Sequence, residues 1–278
     1  MTHSRTLWIG GTTAIVALAV AVLVTRGESA RSPRERSAAG VVEDTGAVDP
    51  DAIAALENMG KYLRTLKTID VHAVVTHDEV QTDGQLVQKT SNVDVLAKRP
   101  DRLRAEVTDD RQPRTFYYDG RKFTLWAPLL GFYSTIDAPS TIGELADKLE
   151  DRYNVDLPLV DLFRWGTKEG DTKDITSAMD LGPSSVDGVT CEQYLFRQEG
   201  VDWQLWIQLG DFPLPKKIVI STLTDDARPQ HMSVWTWNLA PSFNDAAFEF
   251  TPPSDAKVIP FTADLADRLS AKAKGAAK

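Results

Sequence analysis

The chain has 278 residues, 42% of them hydrophobic, and one cysteine, Cys191, so it can fill a single large core but has no intramolecular disulfide to support it. Its 40 acidic residues outnumber its 31 basic ones. Residues 1–26 carry Arg5 and Arg26 and no acid, so the remainder holds 29 basic against 40 acidic residues, a net charge of about −11 that repels phosphate backbones and excludes nucleic acid as the main partner.

In chain order, the first feature is the apolar or small-residue run Leu7 to Val24 behind Arg5. It exceeds the usual apolar region of a cleaved leader and just reaches the length of a spanning helix, so residues 1–26 read as a signal peptide or an N-terminal membrane anchor, with both left open. Arg26, Arg31, Arg34 and Arg36 follow it and, by the positive-inside rule, pull toward a cytoplasmic body. No cysteine stands near the end of the run to carry a lipid. Residues 27–48 mix Gly, Ser, Pro, Arg and acids without a hydrophobic period and read as a disordered, solvated linker.

The folded body is expected over 49–261, with 262–278 as a C-terminal tail. Asp49-Pro50-Asp51 offers an N-cap and a first-turn proline. Ile53, Leu56, Met59, Leu63 and Leu66 then recur at spacings of three and four, which predicts a helix from Pro50 to about Lys67. The period then changes to two. Strands are predicted at 68–80, 85–97, 102–108, 114–118, 122–127 and 132–136, separated by Asp83-Gly84, Arg99-Pro100-Asp101, Asp119-Gly120 and Pro128. Thr141 with Glu144 three residues on starts a helix through Tyr153, and a short helix is expected at 158–163. Further strands follow at 175–181, 190–197, 202–208, 216–221 and 230–238. Ten or eleven consecutive strands with few helices do not suit a parallel βαβ fold. They imply an α+β, mainly β architecture: one strongly curved antiparallel sheet with helices covering its concave face.

Enzyme chemistry finds little support. There is no Gly-x-Ser-x-Gly elbow, no phosphate-cradling glycine loop and no cysteine pair, so neither a catalytic residue nor a cofactor is expected. His72 and His77 are five apart, which in a strand places them on opposite faces where one metal ion cannot meet both. His77-Asp78-Glu79 reads as a solvated strand end before a turn, and His231 as a strand surface residue. The aromatics are more telling: Phe116, Tyr117, Tyr118, Phe123, Trp126, Phe132, Tyr133, Trp203, Trp206, Trp235 and Trp237 crowd the predicted strands. Trp203 and Trp206 are three apart, so one of them should lie outside the main core. The set either fills the sheet–helix interface or lines a surface for an acyl chain or a partner's apolar segment.

Several stretches together resemble known proteins. The strand from Asp70, the turn Arg99-Pro100-Asp101-Arg102-Leu103-Arg104 and the hairpin Phe116 to Pro128 around Asp119-Gly120 are similar to the lipoprotein-carrier superfamily of LolA, LolB and RseB. Phe212-Pro213-Leu214-Pro215-Lys216-Lys217 and Phe248-Glu249-Phe250-Thr251-Pro252-Pro253 agree with it. More narrowly, Thr141-Ile142-Gly143-Glu144-Leu145 with Leu157-Pro158-Leu159-Val160-Asp161-Leu162-Phe163 resembles DUF2092, a family of periplasmic proteins, over most of residues 49–261. The resemblance implies a half-open barrel with a helix-covered apolar cavity and a periplasmic or extracytoplasmic location, anchored to the inner membrane if residues 1–26 are retained. It also implies that Arg99, in the Arg-Pro turn, helps to hold a lid by hydrogen bonds; a plain turn role for Arg99 stays open.

The expected function is therefore a non-enzymatic envelope binding protein for a lipid, acyl chain or lipidated protein. Its expected ligand-facing residues are Arg99, Phe116, Tyr118, Phe123 and Trp126 on the sheet side and Ile142, Leu145 and Leu149 on the helical lid. The alternative is a regulatory or structural module that binds an envelope protein partner, for instance by strand addition at a sheet edge.

Overall fold

The structure is a computed structural model that describes residues 47–109, 112–167 and 172–262. The expected leader, nearly all of the expected linker and all but one residue of the expected tail lie outside the described residues. Residues 47–49 already pair with the sheet, since Asp49 N–H donates to the Ala178 carbonyl at 3.0 Å. Helix α1, Pro50–Thr65, follows at once: the Asp49 side chain accepts from Asp51 N–H, Pro50 stands in the first turn, and Ala52, Leu56, Met59 and Leu63 form the buried stripe. The helix stops two residues short of the expected Lys67 because Leu66 turns extended and the Lys67 carbonyl accepts from Arg99 N–H instead.

Twelve strands form one sheet. They are β1 (Thr68–Val80), β2 (Leu86–Lys98), β3 (Arg102–Thr108), β4 (Arg114–Tyr118), β5 (Lys122–Ala127), β6 (Phe132–Asp137), β7 (Ser177–Val186), β8 (Val189–Gln198), β9 (Val201–Gln208), β10 (Pro215–Thr222), β11 (Gln230–Trp237) and β12 (Lys257–Val258). The order is β12-β6-β5-β4-β3-β2-β1-β11-β10-β9-β8-β7. Sequence neighbours pair as hairpins within β1–β6 and within β7–β11, and β1 joins the two halves by pairing with β11. The two end strands do not pair with each other, so the barrel is half open. All eleven predicted strands are present; the added strand, β12, pairs parallel to β6.

Alternation sets the faces. One row across the concave side runs Ala97, Leu103, Tyr118, Phe123 and Ile136 by strict register. Helix α2, Ile142–Tyr153, lies against it. The Thr141 side chain accepts from Glu144 N–H, Glu144 accepts from the Thr141 hydroxyl at 3.0 Å, and Asn154 closes the helix in the left-handed region. Helix α3 is Asp161–Arg164, later than the expected 158–163, because Leu159 adopts a φ of 54°, a left-handed backbone that no helix continues through.

After β11 the chain straps the convex face. Asn238 N–H donates to the Asp70 carbonyl at 3.0 Å, Asp245 meets Lys98 at 2.7 Å, and Phe250 seats among Tyr117, Trp126 and Tyr133 at ring distances of 5.3, 5.7 and 5.2 Å. The strap then rounds the edge as β12 and delivers Phe261 to the concave side, 5.9 Å from Phe123 and 4.8 Å from Tyr153. Trp203 stacks on Phe196 at 4.2 Å in the main core. Trp206 joins Val186 and Cys191 in a small separate cluster, so the two indoles are divided between faces as their spacing predicts.

Candidate functional site

Phe116, Tyr118 and Phe123 are all buried on the concave side of β4 and β5, and the first and last of these rings stand 6.0 Å apart. Ile142, Leu145 and Leu149 of α2, at spacings of three and four, are buried in the same cluster. Tyr118 donates its hydroxyl to the Pro139 carbonyl at 2.6 Å, and burial, with the charge of Asp101 adding to it, pushes its pKa up to about 12. Trp126 does not belong with them. It is one residue from the inward Leu125 and three from Phe123, an odd separation, so alternation turns it to the convex side beneath Phe250. Six of the eight expected residues therefore lie together on the concave side, Arg99 stands at the rim, and Trp126 is corrected to the convex side.

Arg99 ties the rim of the sheet to the helices. Its backbone N–H donates to the Lys67 carbonyl at 2.8 Å, and its guanidinium donates to the Leu162 carbonyl at 3.3 Å and lies 5.2 Å over the Phe163 ring. Burial, and then the charge of Arg64, lowers its pKa, and its Nε is buried without a partner. The next residue, Pro100, accepts from Ile142 N–H at 2.9 Å, so the Arg-Pro turn touches the first residue of α2 and the middle of α3. Leu162 and Phe163, which the sequence places in the short helix but not among the ligand-facing residues, and Trp165, which it does not mark, are all buried. The α3 segment is seated on α1 where Gly60 meets Gly166. A Cβ built on Gly60 would stand 2.7 Å from Gly166 N, and Gly166 itself has a φ of +74°. Arg164 links α3 to α2 through Glu150 at 2.6 Å and Asp147 at 3.4 Å. Burial works to lower its pKa, but the Glu150 hydrogen bond and charge outweigh that and raise it. At the start of α3, burial pushes the Asp161 carboxyl up to about 6 despite Arg164.

The family profile of DUF2092, described as predicted periplasmic proteins, matches residues 52–262. The chain belongs to this family. No curated protein matches it in sequence. Among solved structures, the chain is similar to the lipoprotein LppX of Mycobacterium tuberculosis, at 13% identity, covering 70% of this chain and 100% of that one, with a TM-score of 0.42. It is similar to an uncharacterized conserved protein from Thermus thermophilus, at 11% identity, 76% and 99% coverage and a TM-score of 0.41. It is also similar to a LolA superfamily protein from Nitrosomonas europaea, at 12% identity, 72% and 97% coverage and a TM-score of 0.36.

The other polar candidates of this DUF2092 protein sit apart from the α2–α3 cover. His72 is on the convex side with Nδ1 2.8 Å from Asp94. His77 is the cross-strand partner of His231 on the concave side. His231 is partly buried rather than on the surface as expected; its Nε2 is 3.1 Å from the Ser233 hydroxyl, and burial, with His77 next, lowers its pKa to about 4. Among the described residues no three of His, Cys, Asp or Glu are grouped to hold a metal ion. Cys191 is buried, and burial raises its thiol pKa, so it is a packing residue.

Proposed function

We propose that this protein is a non-enzymatic binding protein of the cell envelope that takes a lipid, an acyl chain or a lipidated protein between the concave face of its sheet and the α2–α3 cover. The observation that carries this reading is the mismatch between the two ways the cover is held. Ile142, Leu145, Leu149, Leu162 and Phe163 lay an apolar surface against Phe116, Tyr118 and Phe123. Polar ties between cover and sheet stand at the rim: Arg99 to the Leu162 carbonyl, Ile142 N–H to the Pro100 carbonyl, and Lys148 to the Asp137 carbonyl at 2.6 Å. Parting this cover from the sheet breaks a few hydrogen bonds and uncovers apolar surface, a larger cost that an apolar ligand taking the place of the lost contacts would offset. Membership of a family described as periplasmic supports an extracytoplasmic site of action, with residues 1–26 either removed or kept as an inner-membrane anchor.

The alternative, capture of an envelope protein by strand addition, has less to work with. The outer edge of β7 is taken at Ala178 by residues 47–49, kinked by a register shift between Asp180 and Gly182, and interrupted by Pro183, which has no N–H to donate. Native mass spectrometry of the protein purified from its own envelope decides between them. A co-purified lipid or acyl mass is expected. A stoichiometric polypeptide without lipid moves the assignment to the partner-binding module, and a bare protein that also refuses added fatty acid overturns the proposal.

A further inference from the structure

Two arginines approach the stretch 162–166. Arg99 reaches it from the Arg-Pro turn, donating to the Leu162 carbonyl at 3.3 Å and covering Phe163. Arg64 reaches it from the last turn of α1: a Cβ built on Gly166 would come within 2.9 Å of the Arg64 Cδ. The charge that acts on the Arg99 guanidinium is that of Arg64, a like charge, and Arg64 makes no ion pair among the described residues.

The other arginines nearby are treated differently. Arg164 has Glu150 and Asp147, Arg102 has Asp101, and Arg104 has Glu106. A cation in the last turn of a helix is favoured by the helix dipole, which accounts for Arg64 alone. It does not account for a second, partly buried guanidinium that feels the like charge of the first and has no carboxylate partner among the described residues; a buried Nε without an acceptor is shared by Arg99 and Arg104. Burying an unpaired charge costs free energy, and an anion accepting from both guanidinium groups offsets that cost. The position is also the right one for a head group. The pair stands at the rim, where Arg99 meets α3, and the apolar contact between α2 and the sheet begins at the neighbouring Pro100–Ile142 hydrogen bond.

We propose that Arg64 and Arg99 form an anion-binding site at the rim of the concave face, which takes the carboxylate or phosphate head of an acyl ligand. The proposal rests on the lipid-binding reading above for the chain attached to that head, but not for the site itself. An acyl ligand would be oriented head-out at the Arg-Pro turn with its tail under α2. Binding would strengthen the Arg99 contact with α3, because the guanidinium would be neutralised in place.

The test measures binding of oleate, oleyl alcohol and inorganic phosphate to the full-length, delipidated chain by calorimetry at one fixed ionic strength, with Arg64→Gln and Arg64→Lys beside the wild type. Arg64 is exposed, so neither substitution disturbs the core. The wild type is expected to prefer oleate to oleyl alcohol by about tenfold, the scale of one charge-assisted hydrogen bond. Arg64→Gln should reduce that preference to within about twofold without changing oleyl alcohol binding, and Arg64→Lys should restore part of it. Equal binding of acid and alcohol by the wild type, or a preference that survives Arg64→Gln, overturns the anion site and leaves the lipid reading standing. Phosphate binding that Arg64→Gln abolishes, with neither lipid bound, keeps the site, assigns it to a soluble anion and sinks the lipid reading. Binding of none of the three overturns both.

Discussion

His231 and Asp161 are partly buried titratable groups whose effects on stability run in opposite directions as the pH falls. The folded-state pKa of His231 is lowered from 6.5 to about 4, first by burial and then by His77. Between these values the unfolded chain binds a proton that the folded one refuses, so stability falls as the pH drops through the window and levels off below about 4. Asp161 is raised from 3.8 to about 6, first by burial. In its window the folded protein holds a proton that the unfolded chain lacks, and stability rises as the pH drops. Each tenfold difference in proton affinity between the folded and unfolded chain is worth at most about 1.4 kcal/mol, less where solvent screens the group. We predict that His231→Gln gains about 1–2 kcal/mol relative to the wild type on going from pH 7 to pH 4, and that Asp161→Asn loses a similar amount over pH 6 to 4. Urea unfolding at pH 7, 5.5 and 4 checks both. Differences from the wild type that stay constant across those pH values would mean that neither group is desolvated. Nothing in the sequence marks either residue, because the burial of His231 comes from the pairing of β1 with β11, and that of Asp161 from the turn at Leu159.

At the scale of elements, the convex strap has a specific energetic role. Phe250 fills the space over Tyr117, Trp126 and Tyr133, and it is the aromatic contact that holds the strap to β4, β5 and β6 before β12 forms. Replacing Phe250 with Ala should cost about 2 kcal/mol, moderated by its partial exposure, and should speed proteolysis within residues 239–256 ahead of the rest of the chain. Unchanged stability with unchanged protease resistance would show the strap to be passive. The eleven main strands were legible because each is a β-branched or aromatic run closed by strong turn residues, such as Asp83-Gly84 and Asp119-Gly120. β12 was not. Two residues after a Pro-Pro pair carry no strand pattern, and Lys257–Val258 is a strand only because the strap brings it beside β6. Trp126 was misplaced for a different reason: it was grouped by being aromatic, whereas its distance of three from Phe123 already fixed it on the other face. Arg64 was missed because its place against Gly166 depends on the Gly60–Gly166 contact, a meeting of residues about a hundred positions apart.

Across the whole molecule, one continuous core holds the sheet, α1, α2 and α3 together, so global stability does not depend on the rim contacts that close the cover. Arg99 separates the two quantities. Arg99→Leu removes a 3.3 Å hydrogen bond to α3 and the stacking on Phe163, but it also removes a desolvated charge and a donor without an acceptor. These contributions oppose each other, so the net change in unfolding free energy should be within about 1 kcal/mol, or about 2–4 °C in Tm for a domain of this size. The cover has no such compensation: loss of the Arg99 tie leaves α3 attached on that side by apolar contact, and neutral apolar probes should reach the concave face several-fold more readily. Probe fluorescence titration against a melting curve, wild type beside Arg99→Leu, measures both at once. A large gain in probe binding with a small loss in Tm identifies Arg99 as the latch of a cover that opens. A domain that unfolds, with no change of probe binding in the folded fraction, identifies it as a turn residue on which the Arg-Pro corner depends, and the cover would then be a permanent wall of the core.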